Sequence, residues 1–330
     1  MKNRLTAGHK AVTLFLFAVL IWSILELPIF QSPFESKEES KPVFATSETE
    51  LWLKEYIEME AQRLNIPPVD ARLDPVWKAI PGYNGLEIDV ETTYQLAKKK
   101  DGPIPWVYRE VPPRIQLDEL GAQPVYKGNP HKKMVSFAIN VAWGEQYVPS
   151  MLETLRRENV SATFFLDGTW LSKNLDLAHQ MKDAGHEISN HGYSHKNMSE
   201  LSRSDAVEEI VKTERLLESE LGVDNKLFAP PSGDYNEETV KIAHELQLRT
   251  VLWTLDTVDW KKPAPSTIIQ RIVPRLEAGA IILMHPTEPT AQALPTLIRE
   301  IKERGYKIGT VSELLSSKRI GDIERDPLFW

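Results

Sequence analysis

The sequence predicts an α/β fold in which parallel strands close into a barrel, and three observations carry that prediction. From Met134 onward the chain repeats one unit, a short apolar run followed by an amphipathic stretch. The seven runs fall at 134–141, 162–166, 186–190, 226–229, 250–255, 280–284 and 306–310, each of strand length and separated by helix-length segments. Strand and helix units in strict succession give a parallel sheet with helices outside it, and this many close it on itself. A chain of 330 residues with 42% hydrophobic content has the apolar side chains to fill such a core.

The elements ahead of the barrel are of other kinds. Lys2, Arg4 and Lys10 precede an apolar run at 11–25, broken by Glu26 and resumed to Phe30. Positive residues before an apolar run set its start toward the cytoplasm, and the run spans a bilayer if Glu26 sits at the interface. Val43, Phe44 and Ala45 imitate a cleavage site, but too far downstream for ordinary signal processing, so residues 1–30 read as an uncleaved membrane anchor, with a removed signal as the alternative. Both readings put the remainder outside the cytoplasm, anchored to the cell membrane or secreted. The formal net charge is −8, and setting aside residues 1–30, which carry +2, leaves −10, a balance that disfavours nucleic acid as a partner. The absence of cysteine excludes disulfides and thiolate metal sites, leaving any metal to histidines and carboxylates.

Residues 31–49, rich in Pro, Ser and Glu, form a tether with little to bury. Leu51, Tyr56, Ile57 and Leu64 recur at helical spacing until Pro67 and Pro68 stop the helix. Turn signals at Pro81-Gly82 and Asn84-Gly85 flank β-like runs, and Leu86, Ile88 and Val90 alternate with Glu87 and Asp89 as one strand face would. A small α+β module over 50–130 is the expectation, its carboxylates Glu87, Asp89 and Glu91 read as a solvated face. The barrel then occupies 131–318 and a tail 319–330. Ser202 and Asp205, or Ser204 and Val207, frame the start of a long helix over 203–221.

In parallel barrels chemistry sits where strands end and loops to helices begin. The third run ends in Asn190-His191-Gly192-Tyr193-Ser194-His195, the fifth in Trp253-Thr254-Leu255-Asp256-Thr257-Val258-Asp259-Trp260, the sixth in Leu283-Met284-His285-Pro286. Two histidines four apart are weak evidence for a metal site taken alone, and aspartates at strand ends often only cap loops. Acid and imidazole at three strand ends on one rim make a site the more economical reading.

These segments, GHEISNHGYSH, FAPPSGDYNEET, TVLWTLDTVDW and ILMHP in that order, resemble the polysaccharide deacetylases of carbohydrate esterase family 4, the NodB-homology fold. The likeness runs from Met134 to about Leu315, and AWG after the first run resembles the deacetylase-like branch of spore-forming Bacilli. The resemblance implies a distorted (β/α) barrel of seven or eight strands, a zinc or other divalent ion, and N-deacetylation of wall glycans such as peptidoglycan. It implies metal ligands at His191 and His195, a general acid at His285 oriented by Asp256 or, less favoured, Asp259, and substrate contacts at Trp143, Pro231, Trp260 and Leu283. It also places Asn140 at the position of the general base, Val141 at that of a carboxylate ligand, Ala229 at that of an arginine and Ser232 at that of an aromatic residue.

The departures agree with one another. Asparagine cannot take up a proton near neutral pH, valine has no lone pair for a metal, and an arginine that lost its carboxylate partner would be left as an uncompensated buried charge. Glu145 and Asp167 are candidate replacement ligands; Glu145 is more simply read as capping the helix that begins near Tyr147. Two functions stay open: a metal-dependent deacetylase of weak or unusual activity, and a pseudoenzyme that binds or scaffolds envelope glycan, with Trp143, Trp253 and Trp260 as stacking surfaces or as core.

Overall fold

The computed structural model describes residues 46–99 and 102–321. The anchor expected at 1–30, the tether up to residue 45 and the tail after 321 lie outside the described residues. Among those described, no helix is long and apolar enough to cross a membrane. The chain divides into two units at residue 55. Helix α1 (Thr46–Leu64) has its first residues in the first unit and the rest in the second.

Within the second unit, residues up to 130 build two hairpin-like pairs, β1 (Arg72–Asp74) with β2 (Lys78–Ile80), and β3 (Gly85–Ile88) with β4 (Tyr108–Val111), both antiparallel. The strand alternation expected to continue to Val90 stops at Ile88. Asp89 accepts the Thr92 N–H at 2.9 Å and the Thr92 hydroxyl at 2.8 Å, and α2 (Val90–Lys99) begins there. Of the three carboxylates, Asp89 thus caps a helix, Glu91 lies in its first turn, and Glu87 pairs with Arg109 across the hairpin.

The barrel strands follow as β5 (Met134–Val141), β6 (Thr163–Leu166), β7 (Glu187–Asn190), β8 (Leu227–Phe228), β9 (Arg249–Thr250), β10 (Leu255–Asp256), β11 (Ile281–Met284) and β12 (Lys307–Gly309). They form one eight-stranded parallel sheet in the order β10-β11-β5-β6-β7-β8-β9, with β12 beside the first half of β5. The architecture is a curled parallel sheet rather than a closed ring. The fifth apolar run, expected as one strand over 250–255, is two: β9 pairs only with β8 and β10 only with β11. Into the gap comes a strand-like segment from outside the repeat, where Val125 donates to the Thr250 carbonyl at 2.9 Å and accepts from Leu252 at 2.8 Å. Lys127 bridges on to Ala280 at the foot of β11. The segment before the barrel therefore supplies part of its wall.

Helices α3 (Val148–Arg157), α4 (Gly168–Leu171), α5 (Leu175–Asp183), α6 (Arg203–Leu221), α7 (Glu237–Glu245), α8 (Pro265–Ile272) and α9 (Glu288–Glu303) connect the strands, and α10 (Val311–Leu315) follows the last of them. The Ser202 side chain caps α6 by accepting the Asp205 N–H, and left-handed Gly222 ends it. Every residue of β5 is buried because both faces of the sheet are covered. Its side chains alternate: Val135, Phe137, Ile139 and Val141 pack outward with helix residues such as Met151 and Leu297, while Met134 and Ala138 face inward with Phe165 and Ala229. The inward set continues to Asn140, at the rim where the chemistry is expected.

Candidate functional site

The strand ends converge as the sequence suggests. His191 follows β7, and its N–H donates to the Leu166 carbonyl at the end of β6 at 3.0 Å. Its Nδ1 lies 2.8 Å from the Ala229 carbonyl after β8, which can only accept. That contact puts the proton on Nδ1 and leaves the Nε2 lone pair available. The ring is 1% exposed, and burial first, then the neighbouring His195, pushes its pKa down to about 3. A neutral imidazole with one oriented lone pair is what a metal ligand requires. His195 stands edge-on to His191 with ring centroids 5.3 Å apart, its backbone left-handed at φ 55°.

That strained loop is held from below by Glu209 on α6, a residue the sequence reading missed. The Glu209 carboxylate accepts the N–H groups of Tyr193 at 3.1 Å and Ser194 at 2.8 Å, the Ser194 hydroxyl at 2.6 Å, and a salt bridge from Lys196. Burial works against its charge, but these bonds, Ser194 foremost, hold its carboxyl below the usual range. Nothing in the helical pattern of α6 marks Glu209 among its other glutamates. Its role exists only once the loop lies against the helix.

Across the rim, His285 follows β11. The carboxylate it meets is Asp259, and not Asp256, the favoured choice from sequence. Asp259 Oδ1 is 2.8 Å from His285 Nδ1, and Oδ2 accepts the His285 N–H at 2.7 Å and the Thr290 hydroxyl at 2.5 Å. Asp259 is wholly buried; desolvation opposes its charge, yet the His285 and Thr290 bonds hold its carboxyl below the ordinary range. Asp256 turns back on its own loop and accepts the Val258 N–H at 2.7 Å. The turn between them, left-handed at Val258 (φ 53°), carries Asp259 inward. The contact of Nδ1 with Asp259 fixes the orientation of the His285 ring.

The opposite half of the site lacks its charged groups. Asn140 is 4% exposed and its Oδ1 has no hydrogen-bond partner among the described residues. Val141 lies in the outward apolar layer with Val148 and Leu166, and Ala229 is buried beside Ala138 and Phe165. Ser232 is exposed in a left-handed turn at φ 56°, and Pro231 is buried against Gly192. Of the replacement carboxylates, Glu145 is exposed in the short turn after Gly144 and makes no helix cap. Asp167 caps α4, accepting from Trp170 N–H at 2.9 Å and the Thr169 hydroxyl at 2.5 Å. Its Oδ2 is buried without a hydrogen-bond partner among the described residues, and burial raises its pKa. Among the described residues no three His, Asp or Glu side chains are grouped to hold a metal ion. The two histidines suit the zinc that the sequence led one to expect; the remainder of the donor set does not.

The rim also carries aromatic surface. Trp143, 43% exposed, stacks on His285 with centroids 5.7 Å apart and planes 10° from parallel. Gly144 beside it is left-handed and so close to the Pro286 carbonyl that a Cβ would collide, which locks the loop after β5 to the loop after β11. A cleft of about 560 Å³ opens next to this pair, between Trp143, Lys262 and Glu288. Trp260 is 53% exposed and covered on one face by Lys261, Trp253 packs over Gly233, and Leu283 is buried in its strand.

A curled parallel sheet with paired histidines at one strand end and a histidine–aspartate couple at another defines a deacetylase-type protein, and the chain belongs to the polysaccharide deacetylase family, carbohydrate esterase family 4. The family model for polysaccharide deacetylase matches residues 127–251. The chain is 43% identical to the Bacillus subtilis protein YlxY over 94% of its own length and 97% of that protein's. It is 30% identical to a peptidoglycan-N-acetylglucosamine deacetylase of Bacillus cereus, over 59% of this chain and 72% of the relative. Among solved structures it is similar to a family 4 pseudoenzyme from Bacillus anthracis, with TM-score 0.76 and 44% identity over 81% of this chain and 96% of that one. A mutant of that pseudoenzyme, described as having restored enzymatic activity, matches with TM-score 0.76 and 43% identity over 81% and 99% of the two chains. The protein is thus polysaccharide deacetylase-like.

Proposed function

We propose that the chain is a pseudoenzyme of its family, which binds N-acetylated wall glycan such as peptidoglycan at the outer face of the cell membrane without deacetylating it. The observation that carries this reading is Asn140, inward-facing and buried where proton abstraction would occur, with an amide oxygen that cannot take up a proton near neutral pH. The surviving half supports binding: His285 stays oriented by Asp259, and Trp143 offers an exposed ring beside a cleft large enough for sugar units. The likeness to a pseudoenzyme from Bacillus anthracis supports it further. Residues 1–30 would anchor the protein, and a role in the spore or vegetative envelope follows only from the Bacillus relatives.

A residual metal-dependent deacetylase is the second reading, favoured by the unpaired buried oxygen of Asp167, whose raised pKa suits a surrogate base. The test is acetate release by the full chain from N-acetylglucosamine oligomers and peptidoglycan, with zinc or cobalt supplied. No release from folded protein that still binds the oligomers is expected. Release abolished by His191→Ala would replace the pseudoenzyme reading with the second one. The double variant Asn140→Asp and Ala229→Arg is expected to gain activity; a folded, zinc-binding but inert variant would show that the site has been placed wrongly.

A further inference from the structure

A second cleft lies away from the paired histidines, at the end of the sheet where β8 and β9 begin, and has a volume of about 700 Å³. It is walled by residues 116–123 ahead of the barrel, the starts of β8 and β9, helix α7, and α10 with the residues just after it. Its back is apolar and buried at Leu227, Val240 and Leu248, while its sides carry amides and hydroxyls such as Gln123, Gln247 and Ser317. His244 lines it, but no Trp, Tyr or Phe does, so it lacks the broad stacking platform that the opposite rim has.

Its charge is distinctive. Arg249 is nearly enclosed, with 11% of its side chain exposed, and its partner is the Asp118 carboxylate, whose side chain is 92% exposed. A carboxylate so well solvated gains little from the pair, so exchanging it for another anion costs little. The guanidinium is fixed and can take a carboxylate through two parallel bonds. In the same lining the Thr250 hydroxyl is buried and has no hydrogen-bond partner among the described residues. Lys226, paired with Asp224 at 2.6 Å, lies at the edge.

We infer that this cleft is a second binding site, for a short peptide with small aliphatic side chains and a free carboxylate, which docks on Arg249 in place of Asp118. The apolar back accommodates alanine-sized side chains, the amides and hydroxyls meet the peptide backbone, and Asp118 acts as the internal competitor for the anion. The site is separate from the glycan-binding rim, so either can fail without the other.

The test is calorimetric titration of the full chain, in detergent, with N-acetyl-alanyl-alanine and with its C-terminal amide. The free carboxylate is expected to bind, with the amide weaker by about tenfold or more because a charge-assisted bond is lost. Asp118→Asn, at an exposed position, is expected to tighten binding by up to about fivefold, the worth of an exposed ion pair. Arg249→Gln should abolish it. Equal binding of acid and amide, unchanged or weaker binding to the Asp118→Asn protein, or binding of inorganic phosphate but not of the dipeptide would each overturn the assignment. A purely structural ion pair would not give tighter binding when Asp118 is neutralised.

Discussion

Replacing Asn140 by aspartate should convert a neutral, underused position into a pH-dependent liability. The residue is 4% exposed, faces inward beside Ala138 and Phe165, and its Oδ1 finds no donor among the described residues. A carboxylate there loses its hydration without gaining a partner, and the already buried Asp167 carboxyl is acidic company rather than help. An uncompensated buried charge costs about 3 to 5 kcal/mol, so the folded-state pKa of the introduced carboxyl should rise by about 2 to 4 pH units. The unfolded chain gives up this proton near pH ~3.9 while the folded chain keeps it. The variant should therefore match the parent at about pH 4 and lose ~1.4 kcal/mol per pH unit above it until the folded-state pKa is passed. Urea denaturation across pH reads this directly. Ala229→Arg, on the same inward face, should return about 2 to 3 kcal/mol at neutral pH only in the Asn140→Asp background. A variant as stable as the parent at neutral pH, or an arginine whose effect is the same in both backgrounds, would refute the claim that these two positions share one electrostatic site.

Other consequences are open to direct measurement. His186 is buried, accepts the Ala162 N–H through Nδ1 at 3.2 Å, and burial pushes its pKa down to about 4. Below pH ~6.5 the unfolded chain takes up a proton that the folded chain refuses, so stability complete above that pH should fall by ~1.4 kcal/mol per pH unit down to about pH 4. His186→Asn, which keeps an acceptor but cannot titrate, should remove that part of the slope in melting curves recorded against pH. Glu209→Gln keeps the shape under the histidine loop but loses the charge, at about 1 to 3 kcal/mol. Hydrogen exchange should show faster Tyr193 and Ser194 amides with the rest of the sheet unchanged, and unchanged protection would mean that Glu209 does not hold the loop.

Much of the frame was legible because the signals are local. Apolar runs that must be buried on both faces stand out as strands whatever surrounds them, and most of those expected lie within a residue or two of the observed ones. HxxxH after such a run placed both histidines on the rim for the same reason. The run at 250–255 misled because burial alone does not say which neighbour a strand pairs with. Its middle residues cross from one side of the gap to the other, and Val125, far away in sequence, fills the place between. Asp256 and Asp259 have the same chemistry three positions apart, so the choice between them rested on a left-handed turn at Val258 that a β-branched residue does not advertise.

Which chemistry is possible follows from the residues alone: an amide at 140, a methyl at 229 and no cysteine are facts of composition that no fold can alter. Which groups meet came from packing. It gave His285 to Asp259, turned Val141 into the outer apolar layer, set Glu209 under the histidine loop and enclosed Arg249 opposite Asp118. Side-chain chemistry is fixed by the residue, whereas proximity is fixed by pairings between strands and helices distant in the chain. Those depend on the packing of the whole sheet, which no short stretch of sequence contains.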